Sequence, residues 1–241
     1  MTPCIGTAGW SISRQEAEEF PIEGTALERY AARFPVVEIN SSFHRPHSFS
    51  TWQRWYGSVP DHFRFSAKLP KLITHTRKLV DCSAEVAQFL GEAGGLQNKL
   101  AVILVQLPPK LALDRDVAEA FFPALVRQTE AAIACEPRHP SWFSREADAM
   151  LQHLNVSRVA ADPAICPEAA RPGGGGNLRY WRLHGSPVIY RSSYQDRLPL
   201  YAEQVAREAA EGRDAWCIFD NTASSAATGD ALELMARLAP D

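Results

Sequence analysis

Acids, imidazoles and guanidinium groups recur in this chain at the ends of short apolar runs. Ala131–Cys135 leads into Glu136-Pro137-Arg138-His139-Pro140-Ser141-Trp142, where the prolines stiffen a loop that carries charge. Val36-Val37-Glu38-Ile39-Asn40 leads into Ser41-Ser42-Phe43-His44-Arg45. Lys68 ends Phe63–Lys68, with Thr74 and His75 beyond it, and Gln106 ends Leu100–Gln106. Asp162, Arg182 with His184, and Asp220 with Asn221 close three later runs, and Trp10 follows the first. Glu136 and Glu38 are acid/base candidates, with His139 or His184 as proton-transfer partner. Arg45, Lys68, Arg138 and Arg182 suit anionic oxygens. Trp10, Phe43, Trp142 and Tyr194 can stack on a ring, and Asn40, His75, Gln106 and Asn221 complete a substrate-binding set.

Each residue also has a plainer reading. Glu38 lies inside an apolar strand, where a buried carboxylate must be paired, by Arg182 or Lys68. His184 suits a satisfied core histidine, Trp142 suits packing, Asp162 suits a turn before Pro163, and Arg45 and Arg138 suit a solvated surface. A metal alternative uses Glu136, Asp162, His184 and Asp220 as ligands. No H-E-x-x-H spacing supports it, and nearby arginines would repel a cation. The preferred expectation is therefore no metal and no cofactor.

The elements that must position these groups alternate. About eight strand-like runs are separated by helical patterns, one unit per roughly 30 residues, which implies parallel βαβ units. Thr25, Ser50, Ser83, Asp114 and Ser144 are candidate helix caps. Leu100–Gln106 is apolar throughout, as in a strand buried on both faces. Eight such units favour a closed (β/α)8 TIM-type barrel over an open sheet, with the candidate residues at one mouth. Residues 163–178 contain Gly173–Gly176 and no helical pattern, so the sixth helix is irregular or missing. The four glycines read as a flexible surface loop, since no Lys-Ser/Thr follows them as a phosphate loop requires. No domain boundary interrupts residues 1–241.

A length of 241 residues suits one such barrel. A net charge of −3 with no basic block argues against long nucleic acids and membrane surfaces as partners. The expected partner is a small-molecule ligand. Five cysteines without a C-x-x-C pair, no apolar stretch of membrane-spanning length and no leader-like N-terminus point to a cytoplasmic protein.

The chain resembles the YecE-like family, known as domain of unknown function 72. The resemblance rests on Gly6–Trp10, Val37–Phe43, Phe65–Lys68 with Thr74-His75, Gln106–Pro109, Glu136–Trp142, Arg182–Gly185 and Phe219–Asn221. It implies a TIM-type barrel with these residues around its mouth, and no established reaction. His44 stands where the family more often has a tyrosine, and Asp220 where it usually has an asparagine. The favoured function is a metal-independent hydrolase, isomerase or lyase acting on a small anionic or sugar-like substrate. The alternatives are a metal-dependent enzyme resembling sugar isomerases or endonucleases, and a non-catalytic protein that binds a metabolite or nucleic acid through Thr74–Lys78 and the arginines.

Overall fold

Side chains alternate between two faces along a strand. Here the alternation separates an interior shared by the strands from a layer packed against helices. The computed structural model describes residues 2–239. The strands are β1 (Cys4–Thr7), β2 (Val36–Ile39), β3 (Arg64–Lys68), β4 (Leu100–Gln106), β5 (Ala132–Glu136), β6 (Val156–Arg158), β7 (Ala160–Asp162), β8 (Gly173–Gly174), β9 (Leu178–Leu183) and β10 (Asp214–Phe219). The helices are α1 (Ala26–Ala31), α2 (Phe49–Gly57), α3 (Ser83–Ala93), α4 (Arg115–Val126), α5 (Arg145–His153), α6 (Leu198–Ala210) and α7 (Ala226–Leu238).

The strands form two sheets, ordered β1-β10-β9-β7 and β2-β3-β4-β5-β6-β8. Every pairing is parallel except β6 with β8. The fold is thus mixed α/β with parallel sheets, and the ladder runs in two arcs instead of the single closed sheet expected. The expected sixth strand is split at Val159, whose N–H donates to the Cys135 carbonyl at 2.8 Å. At the other gap Ala8 bridges Glu38, and the Gly9 N–H donates to the Glu38 carbonyl at 2.8 Å.

Val36, Val102, Leu104, Ala134, Val159, Leu178, Tyr180, Trp216 and Ile218 form one buried cluster drawn from both sheets. Their sequence neighbours Val37, Ile103, Val105, Cys135, Trp181 and Cys217 join a second, larger cluster with the helices. Period-two spacing from the first set leads to Glu38, Gln106, Glu136, Arg182 and Asp220. The polar residues therefore continue the apolar interior face at the C-terminal strand ends.

Helix entries follow local chemistry. Thr25 and Glu28 make a reciprocal capping box, Asp114 accepts from the Val117 N–H at 3.2 Å, and Ser144 accepts from the Ala147 N–H at 3.1 Å. Two expected caps move: α2 starts at Phe49 after Ser48, and α3 starts at Ser83 after Cys82. No α-helix lies between β7 and β9, only a short turn at Pro167–Ala170. The glycine run is not a flexible surface loop. Gly174 and Gly175 are buried, Gly173–Gly174 pairs with Ser157 and Arg158, and a Cβ at Gly174 would collide with the Val156 carbonyl. Gly174 also has a φ of +70°, so glycine alone combines that conformation with the close approach.

Candidate active site

Arg182 sits at the centre of the C-terminal strand ends with no exposed surface. Its Nε donates to Glu38 Oε2 at 2.9 Å and its Nη2 to Glu38 Oε1 at 2.6 Å, a bidentate pair. Nη1 donates to Glu136 Oε2 at 2.6 Å, and Nη2 also reaches Asp220 Oδ2 at 3.0 Å. Tyr180, two residues earlier on the same face of β9, donates its O–H to Glu38 Oε2 at 2.9 Å. One guanidinium thus joins β2, β5, β9 and the residue after β10.

His184 extends the network. Its Nδ1 lies 2.9 Å from Asp220 Oδ2 and its Nε2 lies 3.1 Å from Glu136 Oε1. An imidazole between two carboxylates is best satisfied as imidazolium, with both N–H groups donating. Burial opposes the charge, but Glu136 and Asp220 outweigh it and raise the histidine above its ordinary value. Burial likewise works against the Glu136 carboxylate, yet Arg182, His184 and Arg138 hold it well below the usual range. Asp220 is lowered in the same way, against burial, chiefly by Arg182 and His184. Gln106 Nε2 donates to both Glu136 oxygens at 3.0 and 3.1 Å, and Asn40 Nδ2 lies 3.3 Å from Asp220 Oδ1. The Asn40 Oδ1 is buried without a hydrogen-bond partner among the described residues.

Two further cations border this frame. Arg138 is partly exposed; its Nε donates to Glu136 Oε1 at 3.1 Å, and its Nη2 lies 3.2 Å from His184 Nε2. Glu38, Glu136 and Asp220 are then balanced by Arg182, Arg138 and the His184 imidazolium. Lys68 stands outside that balance. Its Nζ lies 4.3 Å from the centre of the Phe43 ring, and the amine makes no hydrogen bond or ion pair among the described residues, while the backbone carbonyl accepts from Ser42 Oγ at 2.7 Å. The residue is 8% exposed. Burial, then the Arg182 charge, push its amine down to about 8, against the pull of Glu38, Glu136 and Asp220. His75 packs edge-on to Phe43 with centroids 5.0 Å apart. It is lowered first by burial and then by Lys68, Lys71 and Arg138.

The structure therefore brings together Glu38, Asn40, Phe43, Lys68, His75, Gln106, Glu136, Arg138, Arg182 and His184. It places the other candidates elsewhere. His139 turns to Ser141, with Nδ1 2.9 Å from Ser141 Oγ, and shapes the turn Pro140–Phe143 instead of partnering Glu136. Trp142 is buried; its Nε1 donates to the Leu111 carbonyl and its ring packs near Phe122. Tyr194 is buried and donates to Asp162 Oδ1 at 2.9 Å. Asn221 donates to Asp230 Oδ2 at 2.7 Å and so anchors the segment before α7. Trp10 packs edge-on against Trp55, centroids 5.2 Å apart. Arg45 is exposed and lines a groove of about 210 Å³ with Phe43, Pro70, Leu72 and Phe89.

Of the metal alternative's four donors, Asp162 is held apart by Arg197, Tyr201 and Tyr194. Arg182 bridges Glu136 and Asp220 among the remaining three. Of the cations offered for nucleic acid, Arg77 pairs with Glu85 at 2.6 Å. One contributor escaped the sequence reading of the site, Tyr180, which the period-two step back from Arg182 points to, and Asp220, read there only as a ligand of the metal alternative, belongs to the charged frame instead. Asp220 stands where the resemblance led to an asparagine, and here it is an acceptor for Arg182 and His184.

Comparison with known proteins gives the family and the fold. The family model described as "Protein of unknown function DUF72" matches residues 4–241. The UPF0759 protein YecE of Escherichia coli K12 is 29% identical over 153 residues, covering 61% of this chain and 56% of that protein. The UPF0759 protein YunF of Bacillus subtilis 168 is 25% identical over 146 residues, covering 58% and 52%. The chain thus aligns with little more than half the length of these curated relatives. In fold it is similar to the crystal structure of a DUF72 family protein from Thermotoga maritima, with a TM-score of 0.80, 21% identity and 99% of each chain covered. A DUF72 family protein from Enterococcus faecalis gives a TM-score of 0.79 at 20% identity, covering 100% of this chain and 97% of that one. The charged frame at the strand ends is thus carried by a chain that belongs to the YecE-like DUF72 family.

Proposed function

We propose that the C-terminal strand ends form the active site of an enzyme that handles a small anionic or sugar-like substrate by acid–base chemistry, without a resident metal. The observation that carries this reading is Lys68: a nearly buried amine at a strand end, left without an acceptor while every nearby carboxylate is engaged by another cation. A cation in that position is available to an incoming oxygen anion. Arg138, partly exposed beside it, supplies a second contact. Glu136 Oε1 and His184 Nε2 lie 3.1 Å apart, within hydrogen-bond reach, which suits this pair for proton transfer to or from a bound substrate. Glu38 has both oxygens on Arg182 and Tyr180, so its part is to hold Arg182. The interior shared by both sheets supports a barrel-like closure around this site, as does the Ala8–Glu38 bridge.

The test is a thermal-shift screen of phosphate, sugar phosphates and small carboxylates against the wild type, Lys68→Met and Arg138→Met. An anion present at a hundredfold its dissociation constant stabilises by about 2.7 kcal/mol. The expected result is stabilisation of the wild type that is lost in Lys68→Met and weakened in Arg138→Met. Stabilisation by divalent metals alone, or by anions equally in all three proteins, contradicts the reading.

A further inference from the structure

We propose that Lys68 is a nucleophilic amine that forms an imine with a small aldehyde or ketone bearing an anionic group. This deepens the anionic-substrate reading and rests on it. The argument begins with what an ammonium needs. It carries three donors, and in a nearly buried position each wants an acceptor. Around Lys68 the carboxylates are already engaged, Glu38 by Arg182 and Tyr180, Glu136 by Arg182, His184, Arg138 and Gln106, and Asp220 by Arg182, His184 and Asn40. The unpaired Asn40 Oδ1 makes no hydrogen bond to the amine, which is left to water or to a ligand. The amine packs over the Phe43 ring, which His75 also contacts, edge-on. Arg182 adds like charge, and the carboxylates that would offset it are neutralised within their own frame. The ammonium still predominates at pH 7, but the protein supports it less than water supports an exposed lysine, so the neutral nucleophilic form is reached more readily here. The depressed value of about 8 agrees with that geometry.

The chain's other lysines differ. Lys71, Lys78 and Lys110 are exposed, and Lys99 donates to the Tyr56 and Val59 carbonyls. At pH 7 Lys68 therefore holds roughly two-hundredfold more neutral amine than an ordinary exposed lysine. The step is an addition followed by loss of water. The amine attacks the carbonyl carbon, an amine proton passes to the carbonyl oxygen, and the carbinolamine hydroxyl takes one more proton and leaves as water. The lysine remains joined as a protonated imine, so amine, carbonyl and one proton give iminium and water. His75, half-buried beside Phe43 and not engaged at Nε2 among the described residues, is placed to carry that proton. The partly exposed Arg138 faces the substrate's anionic group.

The test is reductive trapping of the whole chain at pH 7 with glyoxylate and sodium cyanoborohydride, followed by mapping of carboxymethyl-lysine by mass spectrometry. The expected result is modification of Lys68 at least about tenfold above Lys71, Lys78 and Lys110. Acetate, an anion with no aldehyde or ketone carbon to condense with an amine, should suppress it. Lys68→Arg keeps the charge and removes the nucleophile; with its circular dichroism unchanged, it should keep thermal stabilisation by glyoxylate and lose the preferred adduct. If glyoxylate stabilises the protein against heat but labelling is spread over the exposed lysines, the imine proposal is overturned and the anionic-substrate reading stands. If glyoxylate neither stabilises the protein nor labels Lys68, both fall.

Discussion

Arg182 donates to Glu38, Glu136 and Asp220 from a position with no exposed surface, so its loss leaves three carboxylates facing one another without their shared cation. Removing one partner of a buried ion pair costs about 3–5 kcal/mol, and here one cation serves several partners. Arg182→Met is therefore expected to lower unfolding free energy by at least that amount in urea denaturation. A loss below about 1 kcal/mol would show that the carboxylates do not depend on it. His184 gives a pH-dependent counterpart. Its folded value lies above the ordinary histidine value, so its stabilising charge is fully present below about pH 6.5 and is lost as pH rises through the raised value. The stability gap between wild type and His184→Gln should be widest in mild acid and narrow toward alkaline pH. A gap that is flat or widens with pH would mean the imidazole is neutral. At this scale residue types at strand ends were informative in the sequence, but side-chain direction was not. Glu38, Glu136, Arg182 and His184 meet because period two places them on the interior face. Trp142, Tyr194 and Asn221 lie in loops, where no period applies, and their partners Leu111, Asp162 and Asp230 are far away or unpredictable from spacing.

Strands and helices were more legible than single contacts. Ala132–Glu136 and Leu100–Gln106 have the bounds their apolar runs imply, and the caps at Thr25, Asp114 and Ser144 act as their side-chain chemistry dictates. The glycine run departs from the loop its composition suggests, because composition reports flexibility and says nothing of a backbone packing against it. Gly173–Gly174 closes the β6 edge antiparallel, with Gly174 N–H also donating to Asp148 Oδ1 at 2.9 Å. Asp148 in turn pairs with Arg158 at 3.0 Å, so α5, β6 and the glycine run are fastened together. Gly174→Ala combines a positive-φ penalty with a backbone collision and is expected to cost at least about 2 kcal/mol in thermal or urea unfolding. A neutral substitution there would return the segment to the loop first expected.

Across the whole molecule, two arcs of parallel strands share one apolar interior and end in one charged frame. The apolar part of that interior lies toward the strand starts and the polar part at the strand finishes, so folding itself preorganises the site. A frame of three carboxylates, two arginines and one imidazolium is nearly complete, and what it leaves over is the Lys68 amine. The groups facing that amine are Arg182 from β9, Glu38 from β2, Glu136 from β5, Asp220 after β10, and Phe43 and His75 from the loops after β2 and β3. Its titration therefore reports on the frame as a unit. The most direct measurement is a pH titration of lysine labelled at Nζ, followed by NMR with and without the stabilising anion. The account predicts one lysine titrating near 8, absent in Lys68→Arg and moving upward when the anion binds. All lysines titrating near the ordinary value of about 10.4, unmoved by any anion, would contradict it.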